Sequence, residues 1–425
     1  MQAFAIVLVG AMLLMLFVVV VDPYRIYQFV DNPGFNTVKP PPERFREELK
    51  LTAARANHAN AFIAGNSRAE IGFDPEYARK VAPRLSFYNL ALSGTAISTT
   101  RRELAYLRAH GQQPSVIVLG VDFLDFLIAP SARPELEVPS SVHPADRLQW
   151  RFETLFSLAS VMDGIRTLRI QHMQDPESIT ALGFNPLMEY KRFAREQGYY
   201  TLFQQRAMEN AKAYVNKPRS LTARGRAPGF EDFRAIMNSA AAGKSDLHVV
   251  IYPYHAQILA MFEQVGLWPL FEEWKRMLSN EISTANRHAN GSKLQLWDFS
   301  GYSHFHCEHI PERNEKTETE WYWEAGHFKP QLGNVVLRQV LSSGQYGADD
   351  ESFGYLVTPN TLEENRNRIA RERKVCAASY PELFLQAQQL IASAAGIEGT
   401  ERENARPGTP GSLFANTAGL SRKAN

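Results

Sequence analysis

Residues 62–75, FIAGNSRAEIGFDP, decide how the chain is read. A short apolar run at positions 61–64 stops at Gly65, and helical character resumes after Ser67. Strand, tight turn and helix in that order put Ser67 on the turn at the carboxyl end of the strand. A hydroxyl there is open to a substrate, and the free N–H groups of the next helix can meet a developing oxyanion. Gly65 permits the turn. The pattern is not the G-x-S-x-G elbow, because position 69 is Ala. Taken alone, the same residues also describe a serine that caps a helix.

Working outward, the rhythm repeats. Residues 85–90 read as a second strand, followed by a helix over 99–109. Residues 115–121 (SVIVLGV), bounded by Pro114 and Asp122, form a buried β-branched strand. Residues 247–252, stopped by Pro253, are a fourth, and 293–297, ahead of Asp298, a fifth; 335–341 belong to a closing helix. Strands alternating with helices predict an α/β fold: a flavodoxin-like parallel sheet of about five strands with helices on both faces. Between the third and fourth strands, 131–244 carry no strand signal. Helical periodicity over 146–172, 187–213 and 230–240 is broken by Pro186, Pro218 and Pro228, so this is a helical insertion. An insertion after a parallel strand sits at the carboxyl edge of the sheet, where ligands bind, and can act as a lid or docking surface. The resulting plan is 58–130 and 245–345 for the two parts of the sheet domain and 346–395 for a C-terminal helical extension. From 396 to 425 the chain is small, polar and Pro/Gly-rich, and reads as a disordered tail.

Residues 3–21, AFAIVLVGAMLLMLFVVVV, contain no charge. Nineteen helical residues reach roughly 28 Å, close to the ~30 Å hydrocarbon core. A signal peptide has a shorter apolar region, a basic start and small residues at its exit; here the exit is VVVVDPYR. The reading is an uncleaved single-pass anchor, 1–21, followed by a Pro- and Asn-rich stalk over 22–57. Arg25 and Lys39 follow the span and no Lys or Arg precedes it, which by charge alone favours a cytoplasmic body.

The 425 residues balance 46 Lys+Arg against 45 Asp+Glu, with 44% hydrophobic and 11% aromatic. That supports a sizeable core and excludes wholesale disorder. No basic stripe is present, so nucleic acid is not an expected partner. Two cysteines, Cys307 and Cys376, exclude a disulfide-rich scaffold and a Cys-based zinc finger.

Near the other end stands 321–341, WYWEAGHFKPQLGNVVLRQVL. A serine is a weak nucleophile until a base takes its proton, and the base needs a third group to fix its tautomer. Glu324 and His327, three apart, can supply orienter and base from one short loop; Asp298 is a competing orienter. Alternatively, His327 is a surface histidine and Glu324 a solvated acid. His255 ends the fourth strand and suits either the site or a structural hydrogen bond. Residues 304–309, HFHCEH, hold three His, a Cys and a Glu, the atoms a zinc ion takes, at a spacing that matches no structural site. A polar rim for carbohydrate is favoured over a metal, and no cofactor is expected. Of residues 321–323, Trp-Tyr-Trp, part reads as core.

GNSR with a following FDP, a strand ending NLALSG, a third strand ending in Gly-x-Asp and a late E-x-x-H together resemble the SGNH/GDSL hydrolase superfamily. Within it the resemblance is closest to membrane-anchored members of bacterial cell-envelope and exopolysaccharide acylation systems, among them the D-alanine-transfer protein of lipoteichoic acid and alginate-type O-acetylation proteins. It covers about 58–125 and 245–345. It implies Ser67 as nucleophile, Gly94 as an oxyanion N–H donor, His327 as base and Glu324 where the family usually has Asp. One departure stands out: the family's third block is Gly-x-Asn-Asp, its Asn donating to the oxyanion, whereas Gly120-Val121-Asp122-Phe123 puts a carboxylate there. An ionised carboxylate accepts hydrogen bonds and repels an oxyanion. Either Asp122 does something else, or Asn66 or Asn89 replaces the donor, or the site does not hydrolyse esters.

The resemblance implies an esterase or O-acyltransferase on an acylated envelope or exported polysaccharide, held to the bacterial inner membrane by residues 3–21, with a periplasmic body and other polysaccharide-assembly proteins as partners. The alternatives are a non-catalytic scaffold of such a complex and a metal-dependent hydrolase using 304–309.

Overall fold

The computed structural model describes residues 2–132, 143–288, 291–342 and 353–401. Helix α1 (Gln2–Val21) carries no charged side chain and is, among the described residues, the one helix long and apolar enough to cross a membrane. The chain then turns on Asp22, whose carboxylate accepts the N–H groups of Ile26, Tyr27 and Gln28 at 2.8–3.0 Å. The expected stalk is corrected here. It ends in a core helix, α2 (Arg46–Ala56), which buries Leu49, Lys50, Leu51 and Ala54. Lys50, although charged, is buried against Glu70 at 3.0 Å.

The first half of the sheet domain runs β1 (Ala61–Ala64), α3 (Ser67–Gly72), α4 (Pro75–Val81), β2 (Phe87–Asn89), α5 (Ile97–Ala109) and β3 (Val116–Val121). A 3₁₀ turn, Phe123–Phe126, leads into the insertion: α6 (Leu148–Phe156), α7 (Leu158–Ile170), α8 (Met188–Gln197), α9 (Tyr199–Val215) and α10 (Pro228–Ala242). The chain re-enters the sheet at β4 (Asp246–Ile251), followed by α11 (Ala256–Gln264), α12 (Trp268–Asn286) and β5 (Leu294–Asp298). A hairpin, β6 (Tyr322–Glu324) and β7 (His327–Phe328), precedes α13 (Pro330–Leu341), β8 (Tyr355–Val357), α14 (Leu362–Ser379) and α15 (Pro381–Glu401).

The five expected strands form, in the order β2-β1-β3-β4-β5 and all parallel. A sixth, β8, closes the edge antiparallel to β5. It was invisible in the sequence because three residues give too short a pattern. The sheet therefore reaches past 345 into what read as the helical extension. The expected tail is also corrected at its start, since α15 continues through Gly396 to Glu401; 402–425 lie outside the described residues.

Strands β3 and β4 are buried as expected of central parallel strands, and a cluster of Phe123, Phe126, Phe262, Phe271 and Trp274 packs beneath their carboxyl ends. Cys307 and Cys376 form a disulfide that fastens α14 to the loop after β5.

Candidate active site

Gly65 ends β1 with φ +139°, a conformation glycine adopts without strain; a Cβ there would stand 2.5 Å from the Tyr252 hydroxyl. Asn66 then caps α3, its Oδ1 accepting the Arg68 N–H at 3.1 Å. This fixes Ser67 as the first residue of α3, at the carboxyl end of β1. From the far end of the chain, the β6–β7 hairpin brings His327 to it. Ser67 Oγ and His327 Nε2 are 2.9 Å apart. The other ring nitrogen, Nδ1, hydrogen-bonds the Glu324 carboxylate, which also accepts the Gly326 N–H at 2.7 Å.

Glu324 is fully buried. Burial alone would raise its carboxyl, but His327, with Arg206 and the Gly326 N–H, holds it down to about 2. It is a carboxylate at any physiological pH, fit to orient an imidazole and to stabilise an imidazolium. Two glycines let the two ends meet. A Cβ on Gly72 would overlap the Phe328 ring, and one on Gly333 would overlap the Gly72 carbonyl. Helix α3 therefore packs its backbone directly on the Phe328 ring of β7 and on the backbone of α13.

The other expected site residues divide. Asn66 stays at the site, but its Nδ2 donates to Asp122 at 3.2 Å. Asp122 does not aim at an oxyanion position as a free charge. It is nearly buried and ion-paired to Arg68, and it accepts from the Tyr254 hydroxyl at 3.3 Å and the Leu124 N–H at 3.1 Å. Burial would lower the Arg68 guanidinium, but Asp122 holds it above its ordinary value. Asn89 is corrected: its amide donates to the carbonyls of Ala69 and Phe73, both at 2.9 Å, so it braces α3 from behind. Asp298 is also corrected as an orienter, because its carboxylate takes Asn365 at 2.7 Å and Lys275 at 3.3 Å at the other edge of the sheet. Gly94 lies in the turn after β2 at φ +78°. Among the described residues, neither its N–H nor that of Ser67 is taken up by the backbone bonds of these turns.

His255 is buried and structural: Nε2 meets the Glu308 carbonyl at 2.9 Å, and Nδ1 accepts the Gln257 N–H. The 304–309 donors scatter. His306 bridges the Phe299 carbonyl and Ser303, Cys307 is oxidised, and Glu308 accepts the N–H groups of Trp321 and Tyr322. Among the described residues no three His, Cys, Asp or Glu side chains converge as a metal site. Tyr322 and Trp323 are core, and Trp321 packs edge-on against Phe305.

Three residues that sequence reasoning missed shape the site. Arg68 neutralises Asp122. Glu70, buried between Lys50 and Arg46, accepts the Ser93 N–H at 2.8 Å and so ties the Gly94 turn to α3. Burial would raise its carboxyl, but the two cations hold it below the ordinary range. Arg206, on the inserted helix α9, stands 3.9 Å from Glu324. The adjacency of Arg68 and Glu70 to Ser67 was the available signal; nothing in sequence pointed to Arg206.

Compared with known proteins, the chain matches no family model and no curated sequence.

Proposed function

We propose that the chain is a membrane-anchored serine esterase or O-acyltransferase of SGNH type acting on an acylated, exported polysaccharide. The observation that carries this reading is the Ser67–His327–Glu324 relay, built from residues up to 260 positions apart. A nucleophile, a base in reach of it and a buried acid on the far nitrogen make up the constellation of acyl-transfer enzymes. The strand order 2-1-3-4-5 is that of flavodoxin-like sheets, with the relay at the carboxyl edge where such sheets bind ligands.

In this reading Ser67 Oγ attacks the acyl carbonyl as its proton passes to His327 Nε2. Glu324 stabilises the imidazolium, and the Ser67 and Gly94 amides receive the oxyanion. The carbon–oxygen bond to the departing sugar breaks, and His327 returns the proton to that oxygen. Water or a second sugar hydroxyl, deprotonated by His327, then takes the acyl group and restores Ser67. The pairing of Asp122 with Arg68 supports the reading, because the carboxylate that would repel an oxyanion is neutralised by its neighbour.

The disulfide fits an oxidising compartment and so a body outside the cytoplasm, against the weak charge bias around α1. A fluorophosphonate probe tests the chemistry: wild type should be labelled and turn over p-nitrophenyl acetate, and Ser67→Ala should do neither. An unlabelled, inactive but folded wild type would sink the esterase reading and favour a scaffold.

A further inference from the structure

The two helices packed against the candidate membrane span are apolar on the wrong side for water. Helix α6 turns Trp150 and Thr154 inward, and α7 turns Ser160, Gly164, Thr167 and Ile170 inward. Outward stand Leu148, Phe152 and Phe156 at intervals of four, then Leu158 and Met162; Leu148 is 79% and Leu158 77% exposed. Thr154, Ser160 and Thr167, each 0% exposed, give their hydroxyls to their own or the neighbouring helix's carbonyls. A helix pair that hides hydroxyls and presents Phe, Leu and Met is inverted relative to an aqueous surface.

Its position explains the inversion. Gly164 of α7 lies against Phe17 of α1, where a Cβ would approach the ring to 2.7 Å. Phe17 is followed by four more valines before the first charge, Asp22. At about 1.5 Å per residue the contact lies some 6 Å inside the apolar stretch. Whatever surrounds α1 at that level therefore surrounds α7. An apolar groove of about 670 Å³ continues the surface, with Leu13, Leu16 and Val19 of α1 facing Tyr27, Phe29 and Leu155.

We propose that α6 and α7 lie in the plane of the membrane, their outer faces sunk among phospholipid acyl chains, so that the body is laid on the bilayer rather than hung from it. This rests on α1 spanning the membrane. The exposed Arg151 and Arg169 on the same helices can reach lipid phosphates from such a position.

The test uses the full-length chain in phosphatidylethanolamine/phosphatidylglycerol vesicles doped with phosphatidylcholine bearing a nitroxide on its acyl chain. Single cysteines labelled with an environment-sensitive fluorophore replace Phe152, Leu158, Leu13 on α1, and Arg371, exposed on α14 at the far sheet edge. Quenching at Phe152→Cys and Leu158→Cys should reach at least half that at Leu13→Cys, with Arg371→Cys unquenched. Quenching at Leu13→Cys alone would keep the anchor and overturn the inference, as would Leu158→Cys cross-linking to a second copy instead of being quenched. No quenching at Leu13→Cys would remove the anchor and the inference together. Wild-type protein with a photoactivatable acyl-chain phospholipid provides a check free of substitutions: adducts should fall within 148–162, and their absence there beside adducts on α1 overturns the proposal.

Discussion

Arg206 holds its Nε 3.9 Å from the Glu324 carboxylate, too far for a hydrogen bond and near enough for an ion pair. The relay is thus completed by a side chain from the insertion, although the insertion lies outside the two halves of the sheet domain. Arg206→Gln should lower kcat about tenfold with little change in KM, since Arg206 acts through Glu324. Because Arg206 helps hold Glu324 in its ionised form, the acid limb of the turnover profile should move to higher pH. Arg206→Lys should recover part of both. A pH–rate series on the three proteins checks this.

Glu324→Gln should remove most turnover, by 10³-fold or more, because the imidazole loses its orienter and the stabiliser of its charge. A second readout follows from the carboxyl's depression to about 2. A folded-state value below that of the unfolded chain, ~4.3, adds stability that is fully present above that pH and is lost as pH falls towards 2. Denaturant melts should therefore show wild type more stable than Glu324→Gln at pH 7, with the gap closing between about pH 4 and pH 2.

Asp122→Asn recreates the side chain the SGNH third block carries, yet it should not raise activity. It leaves the Arg68 guanidinium, only 11% exposed, without its counter-charge. Breaking a buried pair from one side costs on the order of 3–5 kcal/mol. Chemical denaturation should report a loss of that order, and p-nitrophenyl acetate turnover should fall. An increase in turnover without loss of stability would mean that Asp122 acts as an unpaired charge after all.

Opening the Cys307–Cys376 bridge frees a 69-residue loop. The loop-entropy relation puts its contribution at about 4 kcal/mol. The Cys307→Ser/Cys376→Ser double variant should melt several degrees lower than wild type, with dithiothreitol lowering the wild type to match. Fluorophosphonate labelling at Ser67 should persist at low temperature, because neither cysteine is a member of the Ser67–His327–Glu324 relay.

The Ser67–His327 pairing was legible in the sequence for a definite reason. Ser67 follows a strand and a glycine, and Glu324 and His327 share one short segment, so each half of the relay is local in sequence. The interactions that make the site workable are not local. Asp122 finds Arg68 across 54 positions, and Arg206 reaches Glu324 from a helix that reads only as amphipathic. Asn89 and Asp298 misled for the same reason: each ends a strand, which predicts proximity to the edge but not where the side chain bonds. The long β-branched strands announced themselves, whereas β6, β7 and β8, at two or three residues each, are defined by their partners. The cysteines were too few to pair on spacing alone, and only the fold brings their Cα atoms to 6.2 Å.

The 260-residue separation of Ser67 and His327 also sets a timetable for biosynthesis. At ~5–20 residues per second, a ribosome needs roughly 13–50 s to travel from one to the other. Throughout that interval Ser67 has no partner to take its proton and is an ordinary alcohol. Under the proposed function, the nascent chain stays chemically silent until the β6–β7 hairpin has been made and has docked on α3.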